Sequence, residues 1–397
     1  MKKERKNYTF FYFIIALIVI SFVLSDGFSN LVTSAVLKIE AVEYTPLSPQ
    51  IYMMSILFSF FFAIAMHELG HFISFIRNGI RMRAVFVSMF LFIKQKGRWT
   101  LKIKPNKFTN FGGIAVPELN FIEDEEDFKR VQDAYARAIV AGPLASIFTW
   151  VSAVLFTVLA ILLGVGNYVA SILFTITIAL TIITLLLIFN SFSKNGAVIG
   201  DFPASILYKH NRFFAAIQLY QYGVLSSDYD RVRRENKFLR ELICDELEEK
   251  FKEKDTTPLT LKILDNFIVE YLSGVSNAMP QVVWDYIEFL LDNPDRMNET
   301  RKSEVTLLLQ FHMVRLLYTN ENTEKKAVEL YKDLKSVVGN SSIEEYLIKQ
   351  TEHLLGLAQY DEYLKNEENI KISAAQDVWK HFEGFLADEI RLNKKII

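Results

Sequence analysis

Cysteine is almost absent from this chain of 397 residues, which contains one, Cys244. A lone thiol cannot close an intrachain disulfide, and a thiolate zinc site is excluded with it. Cys244 therefore reads as a small buried or partly buried hydrophobe. An excess of charge of one sign is also missing. The 44 Lys and Arg nearly balance 46 Asp and Glu, so nucleic acid is not expected as a partner. Histidine is scarce at six residues, too few for the histidine-rich di-iron sites of membrane oxygenases. No small-x-small cleavage site follows the basic start Met1–Asn7 and the apolar stretch Phe10–Leu24. Ser25-Asp26-Gly27-Phe28 stands there instead, which favours a retained signal-anchor span over a removed signal peptide.

What is plentiful is apolar sequence, unevenly placed. Long apolar runs extend to about Phe192, and beyond it the chain is charged and helix-patterned. The 33 Phe and the positive mean hydropathy thus describe a lipid-soluble half joined to an ordinary soluble half. A membrane helix needs about 20 mostly apolar residues. Thr9–Leu24, Ile51–Ile76, Ala138–Gly164 and Tyr168–Phe192 qualify or nearly so. Basic residues cluster at Met1–Asn7, between Arg77 and Lys107, and from Lys194 to Arg212, whereas Asp26–Gln50 carries only Lys38. The positive-inside rule then gives four spans with both termini cytoplasmic.

Between the second and third spans, Arg83–Gln95 reads as one apolar, β-prone run, and Trp99–Lys104 alternates with a period of two. Gly97 and Pro105-Asn106 supply turns. Six stretches with helical spacing follow: Leu259–Leu272, Gln281–Leu291, Ser303–Tyr318, Glu324–Val337, Ile343–Gln359 and Ala374–Glu389. The expected fold is an α-helical polytopic membrane protein of about four spans. It includes a small membrane-associated β-sheet and a C-terminal cytoplasmic all-α domain, a bundle or tetratricopeptide-like array. The expected division is 1–50 for the anchor span and external loop, 51–209 for the membrane core with a β-loop at 83–116, and 210–397 for the helical domain.

The chemistry is concentrated in His67-Glu68-Leu69-Gly70-His71. Residues four apart share a helix face, so both imidazoles can reach one Zn²⁺. Glu68 beside them can take a proton from water activated by the metal. Ionisable groups inside a span cost about 2.5–3.5 kcal/mol each, and three within five residues call for a compensating ligand. A catalytic zinc takes three protein ligands. His210, His312, His353 and His381 all fall in or near the soluble half, where they read as ordinary histidines. A carboxylate at the level of His67 and His71 is the better candidate, and Asp201, just after the fourth span, meets that condition. Its plain structural role would be an N-cap to the helix through Phe202–Tyr208.

In order along the chain, the motif is followed by Phe111-Gly112-Gly113, Ala141-Gly142-Pro143-Leu144-Ala145, and Asn190 with Asp201. This series resembles the site-2 protease family of intramembrane zinc metalloproteases over roughly Ile51–Leu207, without a PDZ domain. The resemblance implies one Zn²⁺ per chain on His67, His71 and Asp201, with Glu68 as general base. It implies that Asn190 helps hold substrate or polarises the scissile carbonyl, and that Gly112, Gly113 and the preceding strands pair with an extended substrate. There are departures: Phe202 follows Asp201 where the family has Gly, Ser193 replaces a proline, and Ser146 stands where Asn is frequent. Asn195-Gly196 is an alternative relic of the family's Asp-Gly.

The expected function is hydrolysis of a membrane-spanning or membrane-inserted protein or peptide in a bacterial cell membrane. The expected partners are that substrate, the lipid bilayer and a cytoplasmic partner on the helical domain. A catalytically weak or inactive zinc protein of peptide export or immunity is the rival expectation.

Overall fold

The computed structural model describes residues 26–397 apart from 96, 104–111, 120, 195–198, 300–302, 321, 340 and 377–378. The expected first span, Thr9–Leu24, lies outside the described residues. The chain is mostly helical. After α1 (Asp26–Glu40), three helices are long and apolar enough to cross a membrane: α2 (Pro49–Arg77), α3 (Glu125–Leu162) and α4 (Asn167–Ser191). At 1.5 Å per residue, the 38 residues of α3 extend about 57 Å, well beyond the roughly 30 Å hydrocarbon layer. Its first turns, rich in Glu, Asp and Arg, run on outside the apolar stretch expected at Ala138–Gly164.

The chain divides into two compact units. The first comprises the described residues up to Met66 together with Leu144–Asn190. Its helices are joined by hydroxyls rather than by apolar surface alone, as suits packing in lipid. Ser59 Oγ donates to the Ile176 carbonyl at 3.2 Å, Trp150 Nε1 donates to Thr181 Oγ1 at 2.9 Å, and Thr157 and Thr177 share a hydrogen bond of 2.8 Å.

The second unit comprises His67–Pro143 and Ser191–Ile397. It contains an antiparallel sheet of β1 (Arg81–Val87), β2 (Phe90–Gln95), β3 (Arg98–Ile103) and β4 (Gly113–Glu118), ordered β3-β2-β1-β4. The single run expected at Arg83–Gln95 is therefore two strands. They turn at Ser88-Met89, with Val87 opposite Phe90. A two-residue hairpin needs positive φ and usually shows it as Gly or Asn. Here Ser88 takes φ 53°, and its N–H donates to the Gly112 carbonyl at 2.9 Å. The turn thus carries no sequence signal. Gly97, at φ 78°, marks the next turn as expected.

One sheet face buries Ala84, Phe86, Leu91, Ile93 and Val116 against Leu225 and Phe382. On β2 and β3, Phe92, Trp99, Leu101 and Ile103 remain 41–61% exposed. Pro117 lies in β4, an edge strand, where its missing N–H costs no ladder bond.

The helices that follow are α5 (Asp201–His210), α6 (Arg212–Leu225), α7 (Tyr229–Glu235), α8 (Lys237–Lys252), α9 (Pro258–Ser273), α10 (Gln281–Asp292), α11 (Pro294–Glu299), α12 (Glu304–Tyr318), α13 (Glu324–Val337), α14 (Ser342–Leu354), α15 (Asp361–Lys365) and α16 (Glu383–Lys394). Helix α6 is buried nearly all round, as a central helix must be. Local signals set several ends. Asn211 caps α6 by accepting from Phe214 N–H at 2.9 Å, and Ser341 with Glu344 forms a capping box on α14. The helix expected over Ala374–Glu389 is not continuous. Two short 3₁₀ turns at Ser373–Ala375 and Trp379–His381 precede α16, and Ile372 and Phe382, which flank them, are buried in two separate apolar clusters.

Candidate metal centre

Three ionisable side chains of α2 are buried: His67, Glu68 and His71. One ligand atom from each lies within 4.8 Å of the others, and the imidazole centroids are 4.9 Å apart. His71 Nδ1 is 2.9 Å from the Ala138 carbonyl. A carbonyl can only accept, so Nδ1 carries the proton and Nε2 keeps its lone pair for the interior of the site.

The backbone around these side chains leaves just enough room for them. A Cβ on Gly142 would lie 2.2 Å from His71 Nε2, and one on Gly113 would lie 2.4 Å from Glu68 Cγ. Both glycines are thus demanded by a close approach of backbone to side chain. The Glu68 carboxylate also accepts the Ala115 N–H, which fixes it against β4. Its Oε2 is buried with no hydrogen-bond partner among the described residues.

The fourth side chain arrives from α5. Asp201 Oδ2 is 3.4 Å from His67 Nε2, and its Oδ1 is 3.8 Å from His71 Nε2. The expected N-cap role is not observed. Gly200 holds the cap position and Asp201 is the first helical residue, which directs its carboxylate to the histidines. Helix α5 is anchored on α3: Ser205 Oγ donates to the Ala136 carbonyl at 2.7 Å, and Gln132 Nε2 donates to the Tyr208 carbonyl at 2.6 Å. Burial by itself would raise the Asp201 carboxyl. Its contact with His67, the neighbouring imidazoles and the Ser191 hydroxyl outweigh that and hold it below the ordinary carboxylate range.

The donor set fits a zinc ion. Ligands about 2.0–2.2 Å from a tetrahedral metal are spaced about 3.3–3.6 Å from one another; the 3.4 Å between Asp201 Oδ2 and His67 falls in that range, and the 3.8 Å between Oδ1 and His71 lies just above it. A buried carboxylate oxygen without a partner beside two histidines matches the same chemistry.

The sequence model of Peptidase family M50 matches residues 55–364. The chain belongs to peptidase family M50. This is the site-2 protease family, whose members are membrane zinc metalloproteases. The match extends through most of the helical half, well past the Leu207 limit of the motif resemblance. No curated protein and no solved structure matches the chain.

Within this M50 chain, His67, Glu68, His71, Asp201 and Gly113 come together. Gly112 meets Ser88 at the hairpin turn and has no side-chain neighbour where a Cβ would stand. Asn190 is exposed near the end of α4. The alternative Asn195-Gly196 lies outside the described residues. The residue that motif reasoning passed over is Ser191, 3% exposed, whose hydroxyl donates to Asp201 Oδ2 at 2.8 Å. Its only sequence signal was a hydroxyl at the end of an apolar helix, which many membrane helices carry.

Proposed function

We propose that this M50 chain is an intramembrane zinc endopeptidase in which His67, His71 and Asp201 hold one zinc ion. The single observation carrying this reading is the Asp201 carboxylate near both imidazoles, with Glu68 Oε2, which has no hydrogen-bond partner among the described residues, alongside. When bound, zinc supplies Lewis-acid activation of water near neutral pH.

The chain's own groups do the rest. Glu68 Oε2 is the oxygen free to accept a proton from the attacking water, and it returns that proton to the leaving amine. Ala115 N–H and the bare Cα of Gly113 hold the carboxylate in place for both transfers. The His71 Nδ1–H bond to Ala138 fixes the ring's tautomer, and Ser191 orients Asp201.

Among the described residues β4 pairs with β1 on one side and with no strand on the other. An extended peptide adding at that edge, beside Gly112 and Gly113, would bring its main chain to Glu68. The substrate class is a membrane-spanning or membrane-inserted protein or peptide, unwound where it meets the strand. The exposed apolar side chains of β2 and β3 support contact of the sheet with the bilayer surface. In this reading the chain spans a bacterial cell membrane several times with both termini cytoplasmic, and its later helices offer a cytoplasmic docking surface.

Conservative removal of the base tests the reading. Glu68→Gln should retain zinc and lose at least a hundredfold in cleavage, so that full-length membrane polypeptides accumulate in quantitative proteomics of a host expressing it. Equal processing by wild type and Glu68→Gln would overturn the protease reading.

A further inference from the structure

Away from the metal centre, the helical half contains a partly open cavity of about 200 Å³ between α6, α9, α12 and α16. Most charged groups in its wall already have hydrogen-bond partners in the protein. Arg233 is bidentate with Asp388 at 2.7 and 3.0 Å. Glu270 accepts from Tyr220 and Arg240, each at 2.6 Å. Glu304 accepts the Ser373 N–H and hydroxyl at 2.9 and 2.6 Å.

His312 is the exception. Its Nδ1 is 2.6 Å from Asp265 Oδ1, but Nε2, on a residue 3% exposed, has no hydrogen-bond partner among the described residues. It faces Glu389 Oε1 at 3.9 Å, beyond hydrogen-bond reach. Burial disfavours a charged ring, yet Asp265 and Glu389 outweigh it and hold the His312 pKa above its ordinary value. Nε2 is therefore a buried donor left unmade, next to a carboxylate.

In the same wall Glu389 accepts from Tyr346 and Gln350 through Oε2, at 2.9 and 3.4 Å, and its Oε1 is the oxygen beside His312 Nε2. Asp265 is held by His312, and the Lys262 ammonium donates to Gln221 at 3.1 Å. His312 Nε2 and Glu389 Oε1 thus stand side by side as a donor and an acceptor, the complement of a ligand that carries both a carboxylate and an ammonium. The rest of the wall is apolar, including Leu308, Ile372 and Phe385. The volume is below the roughly 300–1,000 Å³ of sites that take drug-sized molecules.

We infer that this cavity is a binding site for a small zwitterion with an apolar tail, an α-amino acid of the leucine type. His312 Nε2 donates to its carboxylate, Glu389 accepts from its ammonium, and Leu308, Ile372 and Phe385 enclose the side chain. The inference is independent of the protease reading, and its test measures binding.

The full chain in detergent micelles is titrated calorimetrically with L-leucine, L-valine and L-phenylalanine, and its thermal unfolding is followed with each. Saturable binding with a rise in Tm is expected for at least one of them. N-acetyl-L-leucine and L-leucinamide, each lacking one charge, should bind at least tenfold more weakly than the parent. Leu308→Trp, which fills the apolar wall, should abolish binding, whereas a leucine held by the zinc site would survive it. Absence of binding by all three amino acids overturns the assignment. So does binding of the blocked analogues as tight as that of leucine, or unchanged affinity in Leu308→Trp. The analogue series needs no variant, so it decides even if Leu308→Trp fails to fold.

Discussion

Ser191 Oγ donates to Asp201 Oδ2 at 2.8 Å, and the same oxygen lies 3.4 Å from His67 Nε2. One carboxylate oxygen is thus oriented from behind by a hydroxyl while it faces an imidazole. This is the arrangement by which outer groups tune metal ligands, and losing such a partner typically costs about 10–100-fold in metal affinity. Ser191→Ala should weaken zinc binding by that factor in a chelator competition while leaving the fold intact. Wild-type affinity in Ser191→Ala would show that Asp201 is positioned without it.

Gly113→Ala and Gly142→Ala should separate the two halves of the site. A methyl at 113 meets Glu68, and one at 142 meets His71 Nε2 itself. Gly113→Ala is expected to keep stoichiometric zinc and lose cleavage by at least about 100-fold, the scale of a displaced general base. Gly142→Ala is expected to lose zinc. Metal analysis and cleavage assays on both variants check this, and an active Gly142→Ala enzyme with full zinc would contradict the packing argument.

Stability should depend on pH through His312. Asp265 at 2.6 Å and Glu389 at 3.9 Å raise its folded pKa against burial and the nearby Arg315. A folded pKa above the unfolded value of about 6.5 stabilises the fold fully below pH 6.5. The contribution is lost as pH rises through the folded pKa. Chemical denaturation of wild type should therefore show falling stability above about pH 6.5, and His312→Gln should flatten that segment. Parallel pH profiles for the two proteins would contradict it.

The parts of this molecule that announce themselves in sequence are those governed by local pattern. The buried His67-Glu68-x-x-His71 run, the apolar lengths of α2, α3 and α4, and the helix Glu324–Val337 follow from periodicity and desolvation cost alone. What periodicity does not encode stayed hidden. The Ser88-Met89 turn uses a serine at positive φ, so two strands read as one. Asp201 sits a residue inside α5 rather than at its cap, with its carboxylate facing the histidines. Ser191, which hydrogen-bonds Asp201, belongs to no motif. The close approaches of Gly113 and Gly142 depend on how β4 and α3 meet α2, which only the tertiary fold reveals.

The central claim is that Asp201 completes a zinc site with His67 and His71, and metal stoichiometry tests it most directly. Purified wild type should carry one zinc per chain by inductively coupled plasma mass spectrometry, and both His67→Ala and Asp201→Asn should lose it. Full zinc retained by Asp201→Asn would contradict the account and move the third ligand elsewhere in the chain.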